Sequence, residues 1–238
     1  MITGHDVASY QPKAVPVGDF CFVKATEASG YVNPRLAAQT ASARADGQVV
    51  GFYHFLHPGN PIGQARFFVA NAPMLPGDLL VCDWENTQFG HPSNADKNAF
   101  IAEVQRLRPQ HLVGLYCNTS DWKSLDVGNH CGDFLWIADY NGTPGRVNVS
   151  YPWVIHQWKS APVDTNVAKF TNRAAMRAWS RKKIPAAASP AKPASTPPSP
   201  NLAPIISALN TAGRKTKPHS PMWWRIHNAV LALTGKKA

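Results

Sequence analysis

Leu79-Leu80-Val81-Cys82-Asp83-Trp84-Glu85-Asn86-Thr87 is an apolar run that turns polar at its C-terminal end, and Pro76-Gly77-Asp78 opens it. A run this short, bounded by turn residues, reads as a buried strand that surfaces where its acids begin. Side chains alternate along a strand at roughly 3.3 Å per residue, so Asp83 and Glu85 share one face about 7 Å apart and Trp84 takes the other. Two carboxylates on one face repel each other when both are ionised. Their pKa values separate, leaving one to donate a proton while the other acts as a base or holds charge. Cleavage of a glycosidic bond uses such a pair. A solvated strand end that happens to be acidic is the plainer reading, and the rest of the chain must decide between them.

On either side of this run, strand-like and helix-like segments alternate. Strands are expected at 2–7, 20–24, 49–55, 112–117, 134–138 and 153–158, with a last short one near 163–167. Helices are expected at 34–46, where Asn33-Pro34 reads as N-cap and first turn and Gly47 as the stop, and at 62–72, 95–107 and 171–181, with a short helix or turn at 120–122. About eight strands alternating with crossovers favour a parallel sheet closed into an α/β barrel. The connections 118–133 and 139–152 are too rich in Gly and Pro for regular helices. The fold class expected is therefore α/β, an irregular TIM-like (β/α) barrel with fewer than eight helices. In such barrels reactive groups sit at the C-terminal strand ends. Those ends supply Asp6, Lys24, Tyr53 with His54, Asp83 with Glu85, Tyr116 with Asn118, Asp139 with Tyr140, Gln157, and Asp164. Solvation alone poorly explains polar and aromatic residues converging from strand after strand.

The net charge of +10 belongs to the end of the chain. Residues 1–164 hold all fourteen acids against eleven Lys and Arg, a net of −3, while residues 165–238 hold thirteen Lys and Arg and no acid, a net of +13. A mildly acidic body argues against nucleic acid as its partner; the basic end suits an anionic surface. Residues 1–183 form the expected barrel. The stretch 184–220 runs Pro-Ala-Ala-Ala-Ser-Pro-Ala-Lys-Pro from Pro185 and reads as a flexible Pro/Ala/Ser-rich linker, its first twenty residues able to span on the order of 60 Å as polyproline. Residues 221–238 carry Trp223, Trp224 and closing lysines, the pattern of a short basic helix that anchors to an anionic wall polymer or membrane surface, or docks weakly with no function. No charged region followed by an apolar stretch opens the chain, so synthesis in a cytoplasm without a signal peptide is expected. Cys21, Cys82, Cys117 and Cys131 lack metal or redox spacing and are expected to be buried thiols.

Sugars offer flat CH faces and rings of hydroxyls, which aromatic platforms and short polar groups would recognise. Tyr53, Tyr116, Trp136, Tyr140 and Trp158 could supply the platforms, although Trp136 and Trp158 are each better explained as core. Seven stretches taken in order then resemble a known family: Gly4-His5-Asp6-Val7-Ala8-Ser9-Tyr10-Gln11, Phe22-Val23-Lys24-Ala25-Thr26-Glu27-Ala28-Ser29-Gly30-Tyr31, Gly51-Phe52-Tyr53-His54-Phe55, Asp83-Trp84-Glu85, Gly114-Leu115-Tyr116, Leu135-Trp136-Ile137-Ala138 and Val163-Asp164-Thr165-Asn166. Together they resemble the family 25 glycoside hydrolases, lysozymes that cleave the β-1,4 bond between N-acetylmuramic acid and N-acetylglucosamine in peptidoglycan.

The resemblance implies a barrel with an acidic groove, Glu85 as general acid, Asp83 as its partner carboxylate, and Asp6 and Asp164 as further acids. It implies that Tyr53 and Tyr116 line the substrate subsite, and Tyr140 and Gln157 complete the expected binding set. It implies bacterial peptidoglycan as partner and a phage-type endolysin that reaches the wall after the membrane is breached; no metal-ligand spacing such as His-x-x-x-His occurs, and neither metal nor cofactor is expected in what is expected to be a monomer. The chain departs from the family pattern at His5 and Trp84, beside the acids. Whether the reaction inverts, retains through an enzyme nucleophile, or uses the substrate's own acetamide stays open at this level. Three rival readings are an inactive peptidoglycan-binding barrel, a metal-dependent hydrolase using His54, Asp83 and Glu85, and lysis by the cationic tail alone.

Overall fold

The computed structural model describes residues 1–185 together with Ser207, Ala208 and Thr211. The chain divides into two units, Met1–Ala186 and Ala187–Ala238. In the first, the order is β1 (Ile2–Val7), β2 (Phe20–Glu27), β3 (Tyr31–Val32), α1 (Leu36–Ala45), β4 (Val49–Phe55), α2 (Pro61–Asn71), β5 (Leu79–Asp83), α3 (Asn94–Leu107), β6 (Val113–Asn118), α4 (Thr119–Ser124), β7 (Leu135–Ala138), β8 (Ile155–Lys159), β9 (Thr165–Ala168) and α5 (Arg173–Ser180). Of the expected linker and tail, only residues 184, 185, 207, 208 and 211 fall within the described residues, and 207, 208 and 211 are helical.

The barrel closes through eight strands in the order β1, β2, β4, β5, β6, β7, β8, β9, because β9 pairs back onto β1 while β1 also pairs with β2. From β1 to β8 every barrel pairing is parallel. β9 is the exception, antiparallel to both neighbours. An all-parallel sheet was the expectation, and the length of the last connection overturns it. A parallel crossover needs a dozen or more residues, and only the five at 160–164 separate β8 from β9. β3, which the sequence reading lacked, is a two-residue strand antiparallel to the end of β2.

Alternation sorts the side chains into an interior and an outer layer. Phe20, Phe22, Tyr53, Leu79, Val81, Tyr116 and Trp136 pack inside the barrel. Phe52, Leu80, Cys82, Leu115 and Ile137 face outward against Ala65 and Phe68 of α2 and Phe100, Ile101 and Val104 of α3. Room for the inner aromatics comes from glycine. A Cβ on Gly51 would lie 2.2 Å from the Phe22 ring, and one on Gly4 would lie 2.4 Å from the Phe20 carbonyl. All four cysteines are buried free thiols, and burial pushes those of Cys21, Cys82 and Cys117 well up from the usual thiol range.

Two helix starts differ from expectation in instructive ways. Asn33 caps the turn that precedes α1 and not the helix itself: its Oδ1 accepts from the Arg35 backbone at 2.9 Å, while its Nδ2 donates to the Lys24 carbonyl over 2.9 Å and to Gln39 over 3.0 Å. The helix begins at Leu36 instead. α3 carries a capping box that the pattern had hidden, with the Ser93 hydroxyl accepting from the Asp96 backbone and the Asp96 carboxylate accepting from Ser93.

Candidate active site

The inward series of β5 runs Leu79, Val81, Asp83, and the two residues between them face outward, so parity carries Asp83 into the barrel mouth. The strand ends at Asp83, and Glu85 lies just beyond it. Trp84 takes the opposite face, fully buried, with its Nε1 donating to the Pro92 carbonyl over 2.8 Å. β1 brings Asp6 to the mouth in the same way. Since β9 runs against its neighbours, its beginning, not its end, reaches the rim, which delivers Asp164 and Asn166 there.

Asp6, Tyr53, Asp83, Glu85, Tyr116, Trp136, Tyr140, Gln157 and Asp164 line one cavity of about 170 Å³. All eight residues expected at the site therefore meet, and Trp136 joins them. Asp6 Oδ2 accepts from Gln157 Nε2 at 2.8 Å and from Asn166 Nδ2 at 2.7 Å. Gln157 Oε1 in turn accepts from the hydroxyls of Tyr116 at 2.6 Å and Tyr140 at 2.7 Å. Asn166 Oδ1 accepts from Trp136 Nε1 at 2.8 Å. Each amide is thus oriented by partners at both ends. Asp83 differs: its Oδ1 is buried with no hydrogen-bond partner.

Burial and crowding push these carboxyls upward from the usual carboxylate range. Burial, then the charge of Asp164, raises Asp6 to about 7 despite the two amide hydrogen bonds that pull it down. Burial, then the charges of Asp121 and Asp164, raises Glu85 to about 7. Asp83 rises well above the usual carboxylate range through burial and the neighbouring Glu85, and burial raises Asp164. A protonated carboxyl at neutral pH is a proton donor, and a cluster that repels added negative charge favours cations forming among its members.

A family model for the glycosyl hydrolases of family 25 matches residues 5–167, which take in every residue lining the cavity. The chain belongs to this family. It is similar to a lysozyme of Streptococcus phage Cp-1, 29% identical over 161 residues, covering 61% of this chain and 45% of that protein. It is similar also to an N,O-diacetylmuramidase of Chalaropsis sp, 35% identical over 180 residues, covering 64% of this chain and 84% of that one. The fold is similar to that of a muramidase from Acremonium alcalophilum, with a TM-score of 0.64 and 22% identity over 76% of this chain and 99% of the other. The chain thus spans about half the length of the phage lysozyme and nearly all of the fungal muramidase.

Not every rim candidate of this family 25 chain reaches the cavity. His54 sits on the outer face, fully buried, bonded to Thr26 Oγ1 at 2.8 Å and Gln64 Oε1 at 3.2 Å and stacked on Phe100. It points away from Asp83 and Glu85, so those three cannot form one ligand set. Asn118 caps α4, Asp139 accepts from the Asn148 backbone at 2.9 Å, and Lys24 pairs with Glu27 at 2.6 Å. The two departures from the family pattern have local partners. His5 Nδ1 lies 3.2 Å from the Asp164 carbonyl, and the Trp84 ring meets His91 edge-on at 4.7 Å.

Asn166 and Asp121 were missed. Asn166 shares the inward parity of Asp164 and lies two residues on, so strand alternation would have found it. Asp121 bears on Glu85 through the tertiary fold, with its carboxylate held by His91 at 3.0 Å and Asn118 at 2.7 Å, and no local pattern marks it.

Proposed function

We propose that this chain is a lysozyme, an N-acetylmuramidase that hydrolyses the β-1,4 bond between N-acetylmuramic acid and N-acetylglucosamine in bacterial peptidoglycan. The observation that carries the reading is the shared cavity: four carboxyls from three places in the chain stand together with three tyrosines at the barrel mouth. Glu85 is the general acid, because its carboxyl keeps a proton to about pH 7 and sits beyond the strand end at the open side of the cavity. It delivers that proton to the oxygen leaving the muramic acid ring, and positive charge develops on the sugar as the bond lengthens.

The orphaned Asp83 Oδ1 favours one route for that charge. A buried acceptor without a partner suits the N–H of the substrate's acetamide, whose carbonyl oxygen then attacks the anomeric carbon while Asp83 holds and charges the group. Asp164, whose charge bears on both Asp6 and Glu85, steadies the developing cation, and Asp6 joins it when ionised. Tyr53, Tyr116, Tyr140 and Gln157 bind the sugar through ring faces and the hydroxyl and amide groups at the cavity wall.

The relatives named as lysozymes and muramidases support the same bond, and the phage lysozyme supports an endolysin that acts on the wall from within a lysing host. Catalysis resides in residues 1–183. The basic residues beyond them are the part suited to an anionic wall polymer or membrane surface. The deciding experiment digests purified peptidoglycan and analyses the new reducing ends. Muramic acid termini are expected; glucosamine termini would make the enzyme a glucosaminidase, and free amino groups without reducing sugar an amidase or peptidase.

A further inference from the structure

The catalytic cavity is small for a polymeric substrate, so the glycan strand must continue over the rim. Phe89 waits there, 68% exposed, on the turn that follows Glu85. A single exposed aromatic needs no explanation; its support does. Thr87 and Gly90 exchange backbone hydrogen bonds of 3.1 Å each, the Phe89 N–H donates to Thr87 Oγ1 over 3.0 Å, and that hydroxyl donates to the Gly90 carbonyl over 2.7 Å. Gly90 closes the turn at φ 99°, where other residues are strained. The backbone carrying the ring is therefore already ordered, and binding has little of that cost left to meet.

Behind Phe89 the rings continue. His57 lies 5.4 Å from Phe89 and 5.7 Å from Phe55, centroid to centroid. His57 Nε2 is 3.0 Å from Glu27 Oε1, and Glu27 Oε2 takes the Lys24 ammonium at 2.6 Å. That ammonium stands 4.6 Å over the Phe55 ring. Phe55 ends β4 and Glu27 ends β2, so the row lies on the same rim as the acids, yet none of Phe89, His57, Phe55 and Glu27 lines the catalytic cavity. An apolar ring face beside a partly exposed carboxylate matches a pyranose, which presents CH groups on its face and hydroxyl donors at its edge.

We propose that Phe89, backed by His57 and flanked by Glu27, is a second sugar-binding subsite that stacks a residue of the same glycan strand remote from the cleaved bond. The proposal rests on the reading of the cavity as a glycan-cleaving site. Its function is to lengthen the grip on polymeric substrate without touching the reacting atoms.

The test measures calorimetric binding of peptide-free alternating N-acetylglucosamine and N-acetylmuramic acid oligomers, from disaccharide to octasaccharide, in the catalytically silenced Glu85→Gln protein. Adding Phe89→Ala should weaken the longer members on the order of fivefold, the scale of one aromatic contact, and leave the disaccharide unchanged. Phe89→Tyr should retain the longer-chain affinity, and an unchanged melting temperature shows that the fold is intact. No loss at any length, or an equal loss at every length, overturns the subsite and leaves the catalytic reading in place. A Glu85→Gln parent that binds none of the oligomers overturns both.

Discussion

Gln157 donates its amide to Asp6 over 2.8 Å, and that single bond fixes the polarity of the site. With Nε2 committed to the carboxylate, Oε1 is left to accept from Tyr116 and Tyr140, so an acid on β1 is tied to aromatic rings on the far wall. Gln157→Ala leaves the buried Tyr116 hydroxyl with only a 3.4 Å contact to Tyr140 and removes one of the two donors to Asp6. The unfolding free energy should fall by about 1–3 kcal/mol, the cost of buried groups left unpaired. Urea unfolding measures it; a midpoint equal to that of the wild type would show that the network carries no stability.

The proton on Asp6 makes stability depend on pH. Its carboxyl titrates near 3.8 when unfolded and at about 7 when folded, so between those values the folded state binds more protons and stability falls as pH rises. The contribution is complete below about pH 4 and lost above about pH 7, on the order of 4 kcal/mol at 1.36 kcal/mol per unit. Asp6→Asn keeps an oxygen for Gln157 and Asn166 and carries no charge. Its melting temperature should fall less than that of the wild type between pH 4 and 8 and exceed it at pH 8. Parallel curves for the two proteins would refute the assignment.

The same reasoning applied to Glu85 gives the descending limb of activity. The donor is lost as pH rises through about 7. Glu85→Gln should lower kcat by roughly 10²–10⁴-fold with the fold unchanged, the usual share of a general acid. Asp121→Asn removes the largest neighbouring charge holding the proton on Glu85, so the limb should move to lower pH while the maximal rate is preserved. A limb that stays in place would mean that Asp121 does not face Glu85 in the working enzyme.

What could be read beforehand divides along one line. Features set by local pattern were legible: the β5 alternation placed Asp83 inward and Trp84 outward, and the acids of β1 and β5 converged because parallel strands bring their C-terminal ends to one rim. Features set by contacts between distant segments were not. Hydrophobic periodicity carries no strand direction, so β9 was read in the wrong sense. His54 was placed on the rim because it neighbours Tyr53, although adjacent strand residues face opposite ways. Asn33 looked like the cap of a helix starting at 34, but its Oδ1 caps the Arg35 turn and its amide nitrogen is taken by Gln39 and the Lys24 carbonyl, so the helix starts two residues later.

The least legible feature is a buried lysine behind the acids. Lys97 of α3 is fully buried, pairs with the equally buried Asp126, donates to the His130 carbonyl over 2.9 Å, and stands 4.9 Å over the Trp84 ring. Trp84 separates Asp83 from Glu85 in the chain, so whatever fixes its indole fixes the spacing of the two carboxyls. Lys97→Met fills most of the same volume and strands the Asp126 charge without its partner, which should cost about 3–5 kcal/mol. Lys97→Met with Asp126→Leu removes both charges and should recover much of that stability, since the desolvation penalty disappears with the pair. Activity then separates the two contributions. If the ammonium holds the indole, the double variant regains stability but keeps a reduced kcat at unchanged KM; if burial alone holds it, kcat returns with stability, and the link from α3 to the acids is broken.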